Sequence, residues 1–240
     1  HAYRDSSYTT LRAREVGDDR TSGVRATLTG DWGDTVVRLS GTAQSSTHDQ
    51  RDAATSTGLA SGFVDGPVLR YRQRLYSLGM EADRKLARGL DLTLGLGVDR
   101  AETPLTGDKP AQRPSDALSF YGALRYAPSD TLRLTASLGR RSRFPSPREL
   151  FGEALGRFLV NPDLAPERAL LGDLSAQWQV TDDAKLEATF WFSDNDGTIS
   201  QRVVRVSGVN RRQRYNMAGS FAYGAEASFN ARLGSGLTLE

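Results

Sequence analysis

Arg143-Phe144-Pro145-Ser146-Pro147-Arg148-Glu149-Leu150-Phe151 is followed ten residues later by Asn161-Pro162-Asp163-Leu164-Ala165-Pro166-Glu167-Arg168. Proline has no backbone N–H to give a strand ladder, so Pro145 and Pro147 end the strand that precedes them and set the exit path of a loop. Pro162 and Pro166 do the same for re-entry, and Asn161 and Asp163 offer side-chain acceptors to the turn. The passage therefore reads as strand, long polar excursion, strand.

Outward from this passage, period-two alternation runs along the chain. Leu132, Leu134, Ala136 and Leu138 alternate with Arg133, Thr135, Ser137 and Gly139. Leu90, Leu92, Leu94, Leu96 and Val98 alternate with Asp91, Thr93, Gly95, Gly97 and Asp99, and Leu186, Ala188, Phe190 and Phe192 with Glu187, Thr189, Trp191 and Ser193. One face of each strand is apolar and the other small or polar. A soluble sandwich and a membrane barrel share that pattern, with the apolar face inward in one and outward in the other.

Connection lengths separate the two. Tight turns are expected at Asp31-Trp32-Gly33-Asp34, Ala87-Arg88-Gly89, Ala127-Pro128-Ser129-Asp130, Thr181-Asp182-Asp183 and Gly234-Ser235-Gly236, and long polar loops at roughly 45–67, 103–115, 142–167 and 200–212. Short and long connections alternate strictly, as in a barrel whose two rims face different compartments. Ten strands are expected, at about 2–14, 22–31, 35–45, 68–86, 90–102, 116–127, 131–142, 168–180, 185–199 and 213–233. Each reaches the roughly 9–11 residues that cross a bilayer on a tilt. Tyr126 and Trp178, on the apolar parity beside tight turns, suit an interfacial aromatic girdle. Trp191 falls on the polar parity, which implies packing against something inside.

The composition, 38% apolar with 31 basic and 29 acidic residues, is compatible with a barrel and argues against nucleic acid as the main partner. No run approaches the ~20 apolar residues of a membrane helix. Without cysteine there is neither a disulfide framework nor a thiolate metal site. The chain opens at His1 without a signal-peptide pattern, and both ends are expected to be cuts within a longer protein.

The two proline-bearing segments resemble the "fRaPs…ELf" and "NPdLkPE" elements of TonB-dependent outer-membrane receptors. The resemblance continues through Asp196-Gly197-Thr198-Ile199, Asn216 and Gly224-Ala225-Glu226, which match "d-x-I … N … GvE" in register. It covers roughly residues 131 to 240; residues 1 to 130 match in strand pattern and loop rhythm. Ser146 before a second proline and Ala165 in place of the family's lysine are departures. The matched residues read as architecture: Arg143, Pro145, Glu149, Asn161, Pro162, Asp163, Leu164, Pro166, Glu167, Ile199, Asn216, Gly224 and Glu226. A carboxylate at Glu149, Glu167 or Glu226 on the lumen side needs a cationic partner.

The resemblance implies an all-β, antiparallel transmembrane barrel wall. Residues 1–240 would form part of a 22-stranded barrel whose plug, TonB-contacting segment and closing strand lie outside the sequence. Taken alone, the piece is expected to be a curved open sheet with two unpaired edges. The implied function is gated import of a scarce ligand, a ferric siderophore, across the outer membrane of a Gram-negative bacterium. Cobalamin or another nutrient, and a passive porin, are the alternatives. The implied partners are outer-membrane lipid and lipopolysaccharide, the TonB complex and a ferric chelate. Ligand contacts would come from outer loops: Arg148, Phe151, Arg157 and Phe158 in one, Arg70, Tyr71 and Arg72 at the base of another, and Arg211, Arg212, Arg214 and Tyr215 in a third. Arginine with aromatics suits an anionic chelate, though basic loops could also meet lipopolysaccharide phosphates.

No catalytic residue, cofactor or metal site is expected. His48 stands in Ser45-Ser46-Thr47-His48-Asp49, and sequence neighbours do not make a triad. Asp194-Asn195-Asp196 is too short for a calcium loop. Gly95-Leu96-Gly97 lies within a strand and is not a phosphate loop; such glycines permit close approach by a neighbour or the plug.

Overall fold

The computed structural model describes residues 2–3, 11–55, 63–232, 234, 236 and 238–239. In chain order the strands are β1 (Ala2–Tyr3), β2 (Leu11–Trp32), β3 (Thr35–Thr55), β4 (Phe63–Ala87), β5 (Leu90–Thr106), β6 (Ser115–Tyr126), β7 (Leu132–Arg143), β8 (Phe158–Leu159), β9 (Glu167–Thr181), β10 (Ala184–Asp196), β11 (Ile199–Val206), β12 (Val209–Asn216), β13 (Ser220–Arg232) and β14 (Thr238–Leu239), with one short helix, α1 (Pro147–Phe151). Eleven strands form one sheet in the order β1-β2-β3-β4-β5-β6-β7-β9-β10-β13-β14, and β11, β12 and β8 form a second. Every pairing in the large sheet is antiparallel, so each strand meets its neighbour in sequence once the excursions are skipped.

The expected wall is present, with two differences. Residues 11–32 form one strand of 22 residues rather than two strands separated by a break. Gly17-Asp18-Asp19 has turn composition, yet these residues pair with Gln50, Asp49 and His48, because β3 continues to Thr55 where a loop from 45 was expected. Cross-strand pairing overrides local preference here: His48 Nδ1 lies 2.7 Å from Asp19 Oδ1, and along β2 itself Arg20 bonds Asp18 at 2.6 Å. The second difference is the excursion at 200–212, which is not an open loop but the β11–β12 hairpin; the hairpin takes in 213–216 and so divides the expected strand 213–233, of which only Ser220–Arg232 runs in the wall. The expected strand over 2–14, the loop tip at 56–62 and the turn at 234–236 lie partly or wholly outside the described residues.

Tight turns and long excursions fall at opposite rims, as the alternation required. Gly33 and Gly89 serve two of the tight turns with φ of 65° and 72°, a region that costs other residues about 1 kcal/mol. The apolar parity is exposed: Leu28, Leu78, Leu96, Leu118 and Phe190 are all more than 60% accessible. A soluble sheet buries such a face, whereas a lipid-facing wall displays it. Trp32, Tyr126 and Trp178 share this face next to the tight turns, so Trp32 joins the two aromatics expected there.

The opposite face is polar. It bounds a depression of about 930 Å³ across seven strands, from Arg25 and Thr27 on β2 to Leu171 and Asp173 on β9. Charges there are matched: Arg38 bonds Glu81 at 2.9 Å and also Asp83, which accepts from Thr93 at 2.6 Å. Trp191, the exception to the alternation, lies over Gly224 of the neighbouring strand. A Cβ built on Gly224 would sit 2.8 Å from the indole, so the glycine makes room for the ring.

Candidate functional site

The long-connection rim gathers the proline-rich excursion, the β11–β12 hairpin and the connection after β5. Leaving β7, the chain buries Pro145, whose carbonyl accepts from Gln73 Nε2 at 2.7 Å. Ser146 then caps α1. Its hydroxyl accepts from the Glu149 amide at 3.3 Å, while Glu149 Oε2 accepts from the Ser146 amide at 2.8 Å. This is a capping box with proline at the first helical position.

The helix carries Leu150 and Phe151 into a small core with Tyr71 and Leu164, against which Leu69 and Ile199 pack. Phe151 and Tyr71 are each 1% exposed and stack with ring centroids 5.1 Å apart at 11°. His48 stacks on the other side of Tyr71 at 6.1 Å. This cluster stands on the polar face of β3 and β4, so the excursion folds inward over the depression rather than outward. Burial raises the Tyr71 hydroxyl to about 12, and nearby Asp108 adds to the effect. Lys109 bonds Glu153 at 2.7 Å and Asp108 at 3.0 Å, which ties the connection after β5 to the same assembly.

The matched motif residues meet in a second cluster, a latch between the two larger excursions. Arg143 donates through Nε to Glu167 Oε2 at 2.6 Å and through Nη1 to Glu149 Oε2 at 2.9 Å. Glu167 Oε1 accepts from the Ile199 amide at 2.6 Å. The Arg143 bond holds the Glu167 carboxyl below the usual range against the opposing effect of burial, and the Ile199 amide contributes. Burial pushes Glu149 upward, but Arg143 and the Ser146 amide outweigh it and leave it lowered. Arg143 is correspondingly raised, chiefly by Glu167 and then Glu149. Asn216 closes the other side: its Oδ1 accepts from Ala165 N at 2.8 Å, and its Nδ2 donates to Ala165 O at 2.8 Å and Gly197 O at 2.7 Å. Asn161 Nδ2 donates to Arg214 O at 3.0 Å, and its Oδ1 accepts from the Asp163 amide at 3.1 Å.

This geometry sorts the expected ligand contacts. Tyr71 and Phe151 lie inside the core. Arg214 is engaged in the latch: it donates to the Glu149 and Gly152 carbonyls and lies 4.3 Å above the Phe158 ring. Arg202 lies over Tyr215 at 5.2 Å. Arg70 points to the apolar face of the wall, in a two-bond pair with Asp49 at 2.7 Å. Arg72, also on that face, bonds Thr47 at 3.2 Å. Arg148, Arg157 and Arg212 are exposed and Arg211 is half-buried, and none of the four forms an ion pair with the described residues. Of the motif carboxylates, Glu149 and Glu167 share Arg143, while Glu226 has no ion pair among the described residues. Gln73 and Lys109 carry no signal in the sequence, and Ser146 is read there only as a departure from the family motif, although the Ser146-to-Glu149 spacing is a readable capping signal.

The family model described as "TonB dependent receptor-like, beta-barrel" matches residues 2–240. The chain belongs to the TonB-dependent receptor barrel family. No curated protein matches this chain. Solved structures share the fold. The copper transporter OprC superposes with a TM-score of 0.79 at 21% identity, covering 96% of this chain and 38% of that one. A mutant of the ferric enterobactin receptor PfeA from Pseudomonas aeruginosa, in complex with enterobactin, gives 0.61 at 18% identity, covering 93% and 35%. The Serratia marcescens hemophore receptor HasR, as a double mutant bound to its hemophore HasA and heme, gives 0.67 at 15% identity, covering 92% and 40%. This chain thus spans two fifths or less of the receptors it resembles. TonB-dependent receptors are transporters of the Gram-negative outer membrane, and in them the long-connection rim faces outside.

Proposed function

We propose that this chain is part of the wall of a receptor that imports an anionic ferric chelate across the outer membrane, with energy delivered by the TonB complex to a plug outside this sequence. The observation that carries the reading is the charge of the outer rim. Residues 199–216 hold five arginines and no acidic residue, and the hairpin is joined to the neighbouring excursion where the Arg212 amide donates to Arg157 O at 2.9 Å. We take Arg148, Arg157 and Arg212, exposed arginines of the joined excursions, as a cationic mouth at this rim. Guanidinium groups suit the clustered oxygens of a ferric chelate, which they can engage two at a time.

In this reading the latch and the stacked core hold the arginines in place and the wall performs no chemistry. The test is binding of ferric catecholates, ferric hydroxamates and cobalamin to the full-length receptor, followed by Arg157→Ala/Arg212→Ala. The proposal expects a negatively charged ferric chelate to bind and to lose at least tenfold in affinity in the variant. Selective binding of cobalamin, or an affinity for the chelate that ignores both arginines, would refute it. Equal passage of unrelated small solutes would instead identify a passive porin.

A further inference from the structure

The β11–β12 hairpin has one open side. In the order β11-β12-β8, β12 is paired on both sides and β11 on one. An antiparallel ladder alternates residue pairs that bond each other with pairs whose amides and carbonyls point apart. Three contacts set that alternation here. The Arg212 amide turns away from β11 to the Arg157 carbonyl at 2.9 Å, the Arg214 carbonyl accepts from Asn161 Nδ2 at 3.0 Å, and the Ile199 amide donates to Glu167 Oε1 at 2.6 Å. Val203, Gln201 and Ile199 stand opposite Arg212, Arg214 and Asn216, so the backbone groups of Ile199, Gln201, Val203 and Arg205 face the open side. Glu167 takes the first of these donors. No described residue bonds the amides of the other three, and Gln201, Val203 and Arg205 are all exposed. Sheet edges are commonly blunted by proline, bulges or charge. β11, Ile199-Ser200-Gln201-Arg202-Val203-Val204-Arg205-Val206, holds no proline, and its register with β12 runs unbroken. Charge is its guard: five arginines and no acidic residue over 199–216 repel a second copy of the same hairpin.

We propose that this edge receives an extended acidic segment of an extracellular protein, which adds as a strand beside β11. Main-chain bonds to Gln201, Val203 and Arg205 hold the segment, and its carboxylates meet Arg202 and Arg205, which the pleat places on opposite faces of β11. Arg202 bonds the neutral side chain of Gln213 at 2.8 Å, and neither arginine forms an ion pair with the described residues. Glu167 already sets a carboxylate on the first open donor. The open ladder distinguishes this occupant from a small anion, which needs only the guanidinium groups. The charge distinguishes it from an apolar strand, which needs only the ladder. The inference rests on the outward position of this rim, and not on the identity of the imported ligand.

The test uses the full-length receptor in detergent and synthetic peptides as long as β11: one alternating Thr and Glu, one alternating Thr and Lys, and the Thr-Glu peptide N-methylated at every amide. Titration calorimetry and hydrogen exchange are the readouts. The Thr-Glu peptide is expected to bind at least tenfold more tightly than the other two and, at saturation, to slow exchange of the Gln201, Val203 and Arg205 amides at least tenfold. Val203→Pro removes an open-side donor without removing a bond to β12. It should weaken binding of the Thr-Glu peptide at least tenfold, while the Arg202 and Val204 amides, which face β12, stay protected and show that the hairpin is intact. No binding of the Thr-Glu peptide, equal binding of either control peptide, or unchanged binding by Val203→Pro would overturn the proposal. Slow exchange of the Val203 and Arg205 amides before any peptide is added would show the edge covered by another part of the receptor or by a second copy, and would overturn it as well.

Discussion

Replacing Glu167 by alanine should open the latch without unfolding the wall. The side chain makes two charge-assisted bonds, to Arg143 Nε and to the Ile199 amide, both at 2.6 Å. Arg143 is half exposed, so its share is close to that of a surface pair, up to about 1 kcal/mol. The more sheltered amide bond to a carboxylate contributes about 1.5–2 kcal/mol. The total of about 2–3 kcal/mol corresponds to a roughly 30- to 150-fold larger population of the open hairpin. Hydrogen exchange on the full-length receptor would measure it: amides of Ile199 and the rest of 199–216 should exchange faster by that factor, while the turn at Asp182-Asp183 on the opposite rim should not change. The reasoning fails if exchange at Ile199 rises less than threefold, or if the opposite turn accelerates equally.

Other perturbations probe the same assembly from different sides. Glu149 and Glu167 are lowered in the folded protein, so their contribution is complete above the ordinary carboxylate range and is lost as pH falls through the lowered values. Protease susceptibility of 199–216 should therefore be flat from neutral pH to about 5 and rise below about 4; a rise between pH 7 and 6 would contradict the assignment. Asn216→Ala, which removes three bonds to Ala165 and Gly197, should free the hairpin by about 2–3 kcal/mol, read as faster exchange of the Ala165 amide. Phe151→Ala should cost about 3 kcal/mol locally and bring Tyr71 down from about 12; a phenolate absorbance titration referenced to Tyr71→Phe would show it. Gly224→Val should lower the urea midpoint, because its first side-chain carbon meets Trp191 at 2.8 Å. A cost of about 1–3 kcal/mol is expected, and Trp191→Ala in the same chain should recover part of it.

The wall was legible because the pleat writes itself into sequence. The run from Leu90 to Val98 could satisfy only a sheet, and the strict alternation of tight and long connections chose the barrel. The 45–67 region and the β11–β12 hairpin were not legible, and the physical reason is the same in both. Gly17-Asp18-Asp19 and the polar stretch from Ser45 carry turn-like composition, and their strand pairing depends on partners about thirty residues away. Arg202 to Val206 and Arg211 to Tyr215 lack a clean apolar alternation because neither face of that hairpin meets lipid.

At the site, the family resemblance reads Arg143, Glu149, Glu167, Ile199 and Asn216 as architecture; in the structure Arg143, Glu149, Glu167 and the Ile199 amide are hydrogen-bonded, and Ile199 pairs with Asn216. What sequence could not supply was orientation. Arg70 and Tyr71 are adjacent, and the pleat sends one to the lipid-facing side and the other into a core with Phe151. Likewise Arg211 through Arg214 look alike in the sequence, yet Arg214 is committed to Phe158 and two carbonyls while Arg212 is exposed. Burial pairs such as Tyr71 and Phe151 lie 80 positions apart and leave no local signature.

Energised uptake tests the central claim most directly. Cells carrying the full-length receptor would be given ferric chelates labelled with radioactive iron, with and without TonB and with and without a protonophore. The account predicts accumulation of an anionic ferric chelate that needs both TonB and the proton gradient and falls in Arg157→Ala/Arg212→Ala. Accumulation that persists without TonB, or the same entry of the chelate and of unrelated solutes of similar size, would contradict it.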